Sequence, residues 1–228
     1  MPYKIMPNLA RGLHVLLLFA AVQGTALASD QQELVDAADQ SLSNLLRDPN
    51  MSWLQYNFDR AKAVIIAPVV VKAGFIFGGS GGRAVTVARD PTTGKWSGPA
   101  FYTLATASFG FQAGISVSEV VTLVMTERGL NSLLSPSAKL GGDASITAGP
   151  VGVGASSALL ADFISFSRSK GLYGGLNLDG TVVAISNDWN GNYYKEGVLP
   201  PDILIRSTVH NAGADKLLED VARAAGAK

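Results

Sequence analysis

Paired glycines set inside β-forming runs constrain this chain most tightly. Gly78-Gly79, Gly81-Gly82, Gly141-Gly142 and Gly174-Gly175 stand among valines, isoleucines, alanines and aromatics. Glycine weakens a strand, so adjacent pairs mark bulges, sharp bends or close approach of another backbone. A flat sheet has no need of so many; a strongly curved sheet or partial barrel does. Residues 166–180, FSRSKGLYGGLNLDG, condense the same signal with two cations, Arg168 and Lys170, and an Asp179-Gly180 turn dipeptide.

The strand runs support that reading. Residues 63–67 and 69–77 are β-branched and aromatic, and 83–88 alternate, with Ala84, Thr86 and Ala88 opposite Val85 and Val87. Residues 101–107, 117–126, 164–168, 172–178 and 181–186 continue the pattern, and 144–158 are small and β-like. Asp179-Gly180 and Asn190-Gly191 are hairpin-turn dipeptides, and the Gly78–Gly82 run reads as a glycine-rich turn with Ser80 at its centre.

Helices bracket the strands. Residues 30–47 carry Leu34, Ala38, Leu42 and Leu45 at helical spacing, with Asp30 and Glu33 as a capping pair and Pro49 beyond the end. A second, short helix is predicted over 52–61 with Trp53 and Phe58 buried, a helical insert over 127–134, and a last helix over 211–225 with Leu217, Leu218, Val221 and Ala225 on one side. No long linker or fixed-period repeat divides the chain. The expectation is one α+β domain: a strongly curved, mostly antiparallel sheet or partial barrel with N-terminal helices and a C-terminal helix.

The first 28 residues read as an address. Lys4 and Arg11 precede the short apolar stretch 13–21, and Ala26-Leu27-Ala28 is an A-x-A cleavage signal. A signal peptide of 1–28 and a domain of 29–228 are expected, placing the protein in a periplasm or outside the cell, peripheral to a membrane. With no cysteine in the chain, disulfides, thiolate metal sites and a cysteine lipid anchor are excluded. Past residue 28, 16 cations face 18 acids, a net charge of −2, which argues against nucleic-acid binding. The charge is uneven: residues 30–59 hold six acids and one cation, Arg47. Residues 60–89 hold Arg60, Lys62, Lys72, Arg83 and Arg89 and no acid. That run is either a solvated face or a basic patch for an anionic surface.

The segments AKAVIIAP (61–68), KAGFIFGGSGGRAV (72–85), WSGPAFY (96–102), KLGGDASITAGPVG (139–152) and FSRSKGLYGGLNLDG (166–180) occur in this order, with NGNYY (190–194) after them. Together they resemble the SYLF domain family of lipid-binding proteins, related to the yeast actin-regulator and Las17-binding family. The resemblance implies phospholipid binding. In eukaryotic members it implies phosphoinositides and actin regulation at membranes, often beside a Src-homology-3 or zinc-finger domain, neither of which occurs in this sequence. Lipid-binding relatives use an N-terminal helix to insert into membranes; the corresponding helix here is acidic.

Other constellations are weaker. Gly78-Gly79-Ser80-Gly81-Gly82 matches G-x-S-x-G, but a nucleophile elbow needs a helix after the serine, and 83–88 read as a strand. His210 is the one histidine past residue 28. Arg83-Ala84-Val85 lacks the Lys-Ser/Thr of a phosphate loop, and Gly149, Gly152 and Gly154 have the wrong spacing for a dinucleotide fingerprint. Asp188, Asn190 and Asn192 begin like a calcium loop, but Tyr193 stands where glycine should and no glutamate closes it. Asp143, Asp162 and Asp179 read as acid–base candidates, or more simply as turn and backbone-binding residues. No catalytic, metal or cofactor site is therefore expected, and the protein is read as a non-enzyme.

The leading expectation is binding of anionic phospholipid or a membrane surface. Its candidate contacts are Lys62, Lys72, Arg83, Arg168, Lys170 and Tyr173, by charge and family position. Arg168 and Lys170 share a strand face, free for head groups or engaged with Asp162 or Asp179. Tyr102, Trp96 and Tyr173 lie either at a lipid interface or in the core. An envelope scaffold that holds a protein partner is the alternative, and a serine hydrolase using Ser80 a remote one.

Overall fold

The computed structural model describes residues 29–74, 77–109, 114–149, 160–169, 172–174 and 178–226. The proposed signal peptide, Lys170 and Gly175 lie outside them.

Helix α1 (Asp30–Leu46) opens the described chain. Its cap is Ser29, whose hydroxyl accepts from the Gln32 amide at 3.3 Å, and not the Asp30/Glu33 pair expected. The two acids lie in the first turn, where they complement the helix dipole. Val35, Ala38, Leu42 and Leu45 are buried at i, i+3, i+4 spacing, while Leu34 is only partly covered. After α2 (Ser52–Asn57) and a 3₁₀ turn (Phe58–Arg60) come four long strands: β1 (Ala63–Gly74), β2 (Phe77–Arg89), β3 (Trp96–Phe109) and β4 (Gly114–Val124). Helix α3 (Glu127–Leu133) is capped by Thr126, and the short strands β5 (Ser137–Lys139) and β6 (Ile146–Ala148) follow. Then come β7 (Phe163–Ser169), β8 (Leu172–Gly174), β9 (Val182–Ile185), α4 (Asn187–Tyr194) and α5 (Asp215–Ala224).

The strands form one curled, half-barrel sheet in the order β5-β9-β3-β2-β1-β4-β7-β6, with β8 also on β7. All described pairings are antiparallel except β6 with β7. The α+β expectation holds.

The glycine run lies within a strand. Gly78 to Gly82 are part of β2, paired with β1 on one side and β3 on the other, so Ser80 sits in mid-strand and not in a turn. What the glycines supply is close approach. A Cβ on Gly79 would stand 2.9 Å from the Thr106 carbonyl oxygen, and one on Gly82 would stand 2.3 Å from that of Val69. Val69 lies at the bulge where β1 shifts register against both neighbours. Pro68, with no N–H for the ladder, stands at that break.

Two hairpin expectations are overturned. Asn190-Gly191 lies inside α4, where the Asn190 side chain is fully buried and its Oδ1 accepts from the Phe101 amide at 2.8 Å. A buried β3 amide needed an acceptor, and the asparagine supplies it. Asp179-Gly180 does turn, with Gly180 at φ 79°, but its flanking strands are not partners: β8 pairs β7, and β9 pairs β3 and β5.

The sheet has a core on each face. Val64, Ile66, Val85, Val87, Phe101, Val121, Leu123, Ile164 and Phe166 face α1, α2 and α5. Ala63, Ile65, Ala84, Ala88, Tyr102, Val120, Val124 and Phe163 face α3, Leu140, Leu178 and a π-helical turn at Pro201–Ile205. Burial on both faces explains the unbroken run Val64-Ile65-Ile66-Ala67, which an open sheet would alternate with polar residues.

Candidate functional site

The acid-free run 60–89 divides in space. β1 and β2 are antiparallel, so Arg60, Lys62 and Arg89 meet at one end of the sheet and Lys72 and Arg83 lie toward the other. Ten residues of strand separate Lys62 from Lys72, roughly 30 Å at 3.3 Å per residue.

At the first end the cations are not alone. Arg60, Lys62 and Arg89 line a cleft of about 830 Å³ with Asp59, Asp90 and Glu127, floored by Leu130, Leu134 and Leu204. Lys62 Nζ lies 2.7 Å from Glu127 Oε1. The Arg89 guanidinium donates to the carbonyls of Asp59 at 2.9 Å and Gly94 at 3.3 Å. Asp90 accepts the amides of Thr92 and Thr93, which hold its carboxyl below the usual range. Formal charge in this cleft is balanced, so Lys62 does not belong to a basic face.

The other end is different. Cross-strand partners share a face: Arg83 is level with Val69 and Thr103, and Arg168 on β7 with Glu119 on β4. These residues form one row on the face that, farther along, carries α1 and α2. Arg83 and Arg168 are three strand spacings apart, roughly 14 Å. Arg83 is exposed and stacks on Trp189 of α4, its guanidinium carbon 4.0 Å from the ring centroid. Among the described residues it has no carboxylate partner. Arg168 is engaged: its Nε donates to Glu119 Oε2 at 2.7 Å and a second nitrogen also reaches that oxygen. The carboxylate seen at Arg168 is thus that of Glu119, while Asp162 is held by Arg128, Thr126 and Ser145. Lys72 lies near the same end but pairs with Ser80 and Ser116 on the opposite face. Lys170 falls outside the described residues; Tyr173 is described only as part of β8.

Beyond the charged row, among the described residues nothing closes over the helix-side face. Val71, Gly81, Ala105 and Val117 form one row, and Ala73, Gly79, Ala107 and Ile115 the next. Val69 is 51% exposed, Val71 42%, Val117 46% and Ile115 73%. Exposed apolar side chains are ordinary one at a time, but a contiguous group marks an interaction surface. Sequence reasoning missed this patch because its valines read as core. The signal was available in the small residues beside them, which give a packed core nothing to fill.

The remaining candidates are structural. Tyr102 and Trp96 are core residues, not interface ones; the Tyr102 hydroxyl donates to the Leu133 carbonyl at 2.8 Å, and burial pushes its pKa up. Asp162 is buried, which by itself would raise its pKa. Hydrogen bonds from Arg128, Thr126 and Ser145 outweigh that and hold it well below the usual range. Asp39 of α1 meets Lys216 and Asp220 of α5; burial raises the Asp39 pKa, and the lysine ties the two helices together. The Asp143 carboxylate accepts the Lys139 amide at 2.7 Å, a backbone-binding role. His210 Nε2 lies 3.3 Å from an Asp215 oxygen at the surface, and Ser80 lacks the strand-turn-helix setting of a nucleophile elbow. Among the described residues no three metal-ligating side chains gather, and no helix is long and apolar enough to cross a membrane.

Comparison with known proteins places these features in context. A family model described as Las17-binding protein actin regulator (Ysc84) matches residues 105–224, just over half of the chain. The human SH3 domain-containing YSC84-like protein 1 is 31% identical over 165 residues, covering 70% of this chain and 48% of that protein. Protein YSC84 of Saccharomyces cerevisiae is 32% identical over 170 residues, 72% of this chain and 36% of the yeast protein. LAS seventeen-binding protein 3 of the same yeast is 32% identical over 152 residues, 64% of this chain and 33% of the relative. The chain thus spans less than half the length of these relatives.

Proposed function

The chain belongs to the Ysc84 (SYLF domain) family, and from that premise we propose a non-enzymatic protein, exported and peripheral to a membrane, that docks reversibly on anionic phospholipid. The observation that carries this reading is the charge at the far end of the sheet. The described strand residues 69–74, 77–84, 103–109 and 114–118 contain two cations, Lys72 and Arg83, and no acid, and Glu119 next to them is paired with Arg168. Basic residues near an anionic surface contribute about 1 kcal/mol each, and salt weakens them.

Co-sedimentation of the purified chain with vesicles tests it. Binding to phosphatidylglycerol vesicles, absent with phosphatidylcholine and weakened by salt, is the expected outcome. Lys72→Glu with Arg83→Glu should lower that binding by about tenfold or more and leave the circular dichroism unchanged. Equal binding to neutral and anionic vesicles would overturn the electrostatic docking.

A protein partner is the second reading, favoured by the family description, which names Las17 as what its members bind. A stable pull-down partner with no vesicle binding would select it.

A further inference from the structure

We infer that the bare end of the sheet enters the surface layer of an anionic bilayer, with β1 and β4 as the leading strands; the inference rests on the lipid-binding reading above. Three observations converge on it. The exposed side chains there, Val71, Val117 and Ile115, lie on adjacent strands and one face, flanked by Gly79, Gly81, Ala105 and Ala107. The charged row of Arg83, Glu119 and Arg168 stands behind them on the protein side. The two apolar rows extend about 7 and 13 Å past that row at 3.3 Å per residue, comparable with the ~5–10 Å that interfacial apolar faces reach into a bilayer.

Charge selects the occupant. A second copy of this chain seated on the patch would set Arg83 against Arg83 or against the two apolar rows, which carry no carboxylate, while Glu119, the acid of the charged row, is already held by Arg168. Burying an unpaired cation in that way is costly. A phospholipid surface supplies anions at the level of Arg83 and hydrocarbon beyond it. The backbone is also prepared for entry. β1 is paired with β2 and β4 as far as Gly74, and β2 with β3 from Phe77 and with β1 from Gly78, so the two central strands carry their ladder hydrogen bonds with them; among the described residues β4 is paired on both edges only from Ser118.

This engagement differs from insertion by an N-terminal helix. Here α1 is packed on the sheet through Val35, Ala38, Leu42 and Leu45, and its apolar side is already spent.

The absence of cysteine from the chain makes the test direct. A single Ile115→Cys carries an environment-sensitive fluorophore, and Thr92→Cys, exposed in the turn at the other end of β2 and β3, serves as the control. With phosphatidylglycerol vesicles the probe at 115 should shift to the blue and be quenched by brominated acyl chains, while the probe at 92 stays in water. In parallel, Ile115→Ser with Val117→Ser should weaken vesicle binding by about tenfold or more and leave the unfolding midpoint nearly unchanged. A probe at 115 that remains in water, or a double variant that binds as well as the parent, overturns this inference while leaving the lipid reading in place. A parent chain that binds no anionic vesicle overturns both.

Discussion

The same four strands make two surfaces. Over their covered half, β1 to β4 carry large side chains on the helix side: Val64, Ile66, Val85, Phe101 and Leu123, each sealed by α1, α2, α4 or α5. Past Val69 and Arg83 the strands run on with nothing among the described residues closed over that face, and the side chains shrink to glycine and alanine on β2 and β3. Pairing is equally complete in both halves for β1 and β2. The difference lies in what the side chains have to pack against, and it divides the molecule into a half that holds the fold and a half available to something else. Hydrophobicity alone does not distinguish them, since valines occur in both.

The comparison is broken most sharply from the covered half. Phe166 of β7 is fully buried, its ring centroid 5.8 Å from that of Trp53. Phe166→Ala removes a large aromatic from a site closed by helix and sheet and should cost about 3–5 kcal/mol, read from urea unfolding. A loss below about 1 kcal/mol would mean that this half is not the rigid one.

A smaller effect is expected at Asp162, the polar tie between α3, the β5–β6 connection and the start of β7. Its carboxylate accepts the Arg128 Nε at 3.0 Å and the Ser145 amide at 2.8 Å. Asp162→Asn weakens charge-assisted bonds to a buried acceptor, a loss on the order of 2 kcal/mol at neutral pH. The pH dependence has a definite sign. The folded pKa is depressed below that of the unfolded chain, about 3.9. The carboxylate therefore contributes its full stabilisation above about pH 4 and loses it as pH falls toward the folded value. Parent and variant unfolding midpoints should converge in that acid window. A constant gap from neutral to acid would assign the effect to packing and not to charge.

Much of the covered half was legible in the sequence. Period-3.6 spacing located α1 and α5, β-branched runs located β1 and β7, and paired glycines announced curvature. The failures have physical causes. Asn190-Gly191 is a strong turn dipeptide by local chemistry, but a buried amide on β3, distant in sequence, claims the asparagine and keeps the pair inside a helix. Gly78–Gly82 reads as a turn for the same local reason; the bulge at Val69, which needs a partner without a Cβ, holds it in a strand. The charge run 60–89 looked like one basic face because composition along a chain is blind to a hairpin that sends its two halves apart. Of the six residues chosen as contacts, Arg83 and Arg168 share a row, but Glu119 neutralises the second. Lys62 faces Glu127 at the far end, and Lys72 lies on the opposite face.

The smallest expected change is also the one that defines the bare half. Ile115 is 73% exposed, so most of its apolar surface is already in water in the folded chain. Ile115→Ser gives up little burial, and its cost should stay within about 0.5 kcal/mol, the range of ordinary surface positions. Its backbone pairing with Ala73 is unaffected by the side chain. If urea unfolding instead shows a loss comparable with that of Phe166→Ala, the side chain is covered in solution and the two halves of the sheet are one core. If stability holds while vesicle affinity falls, the isoleucine does its work outside the fold. A side chain that adds no stability to the fold yet sets vesicle affinity acts on a partner, and that asymmetry separates a binding surface from a poorly packed one.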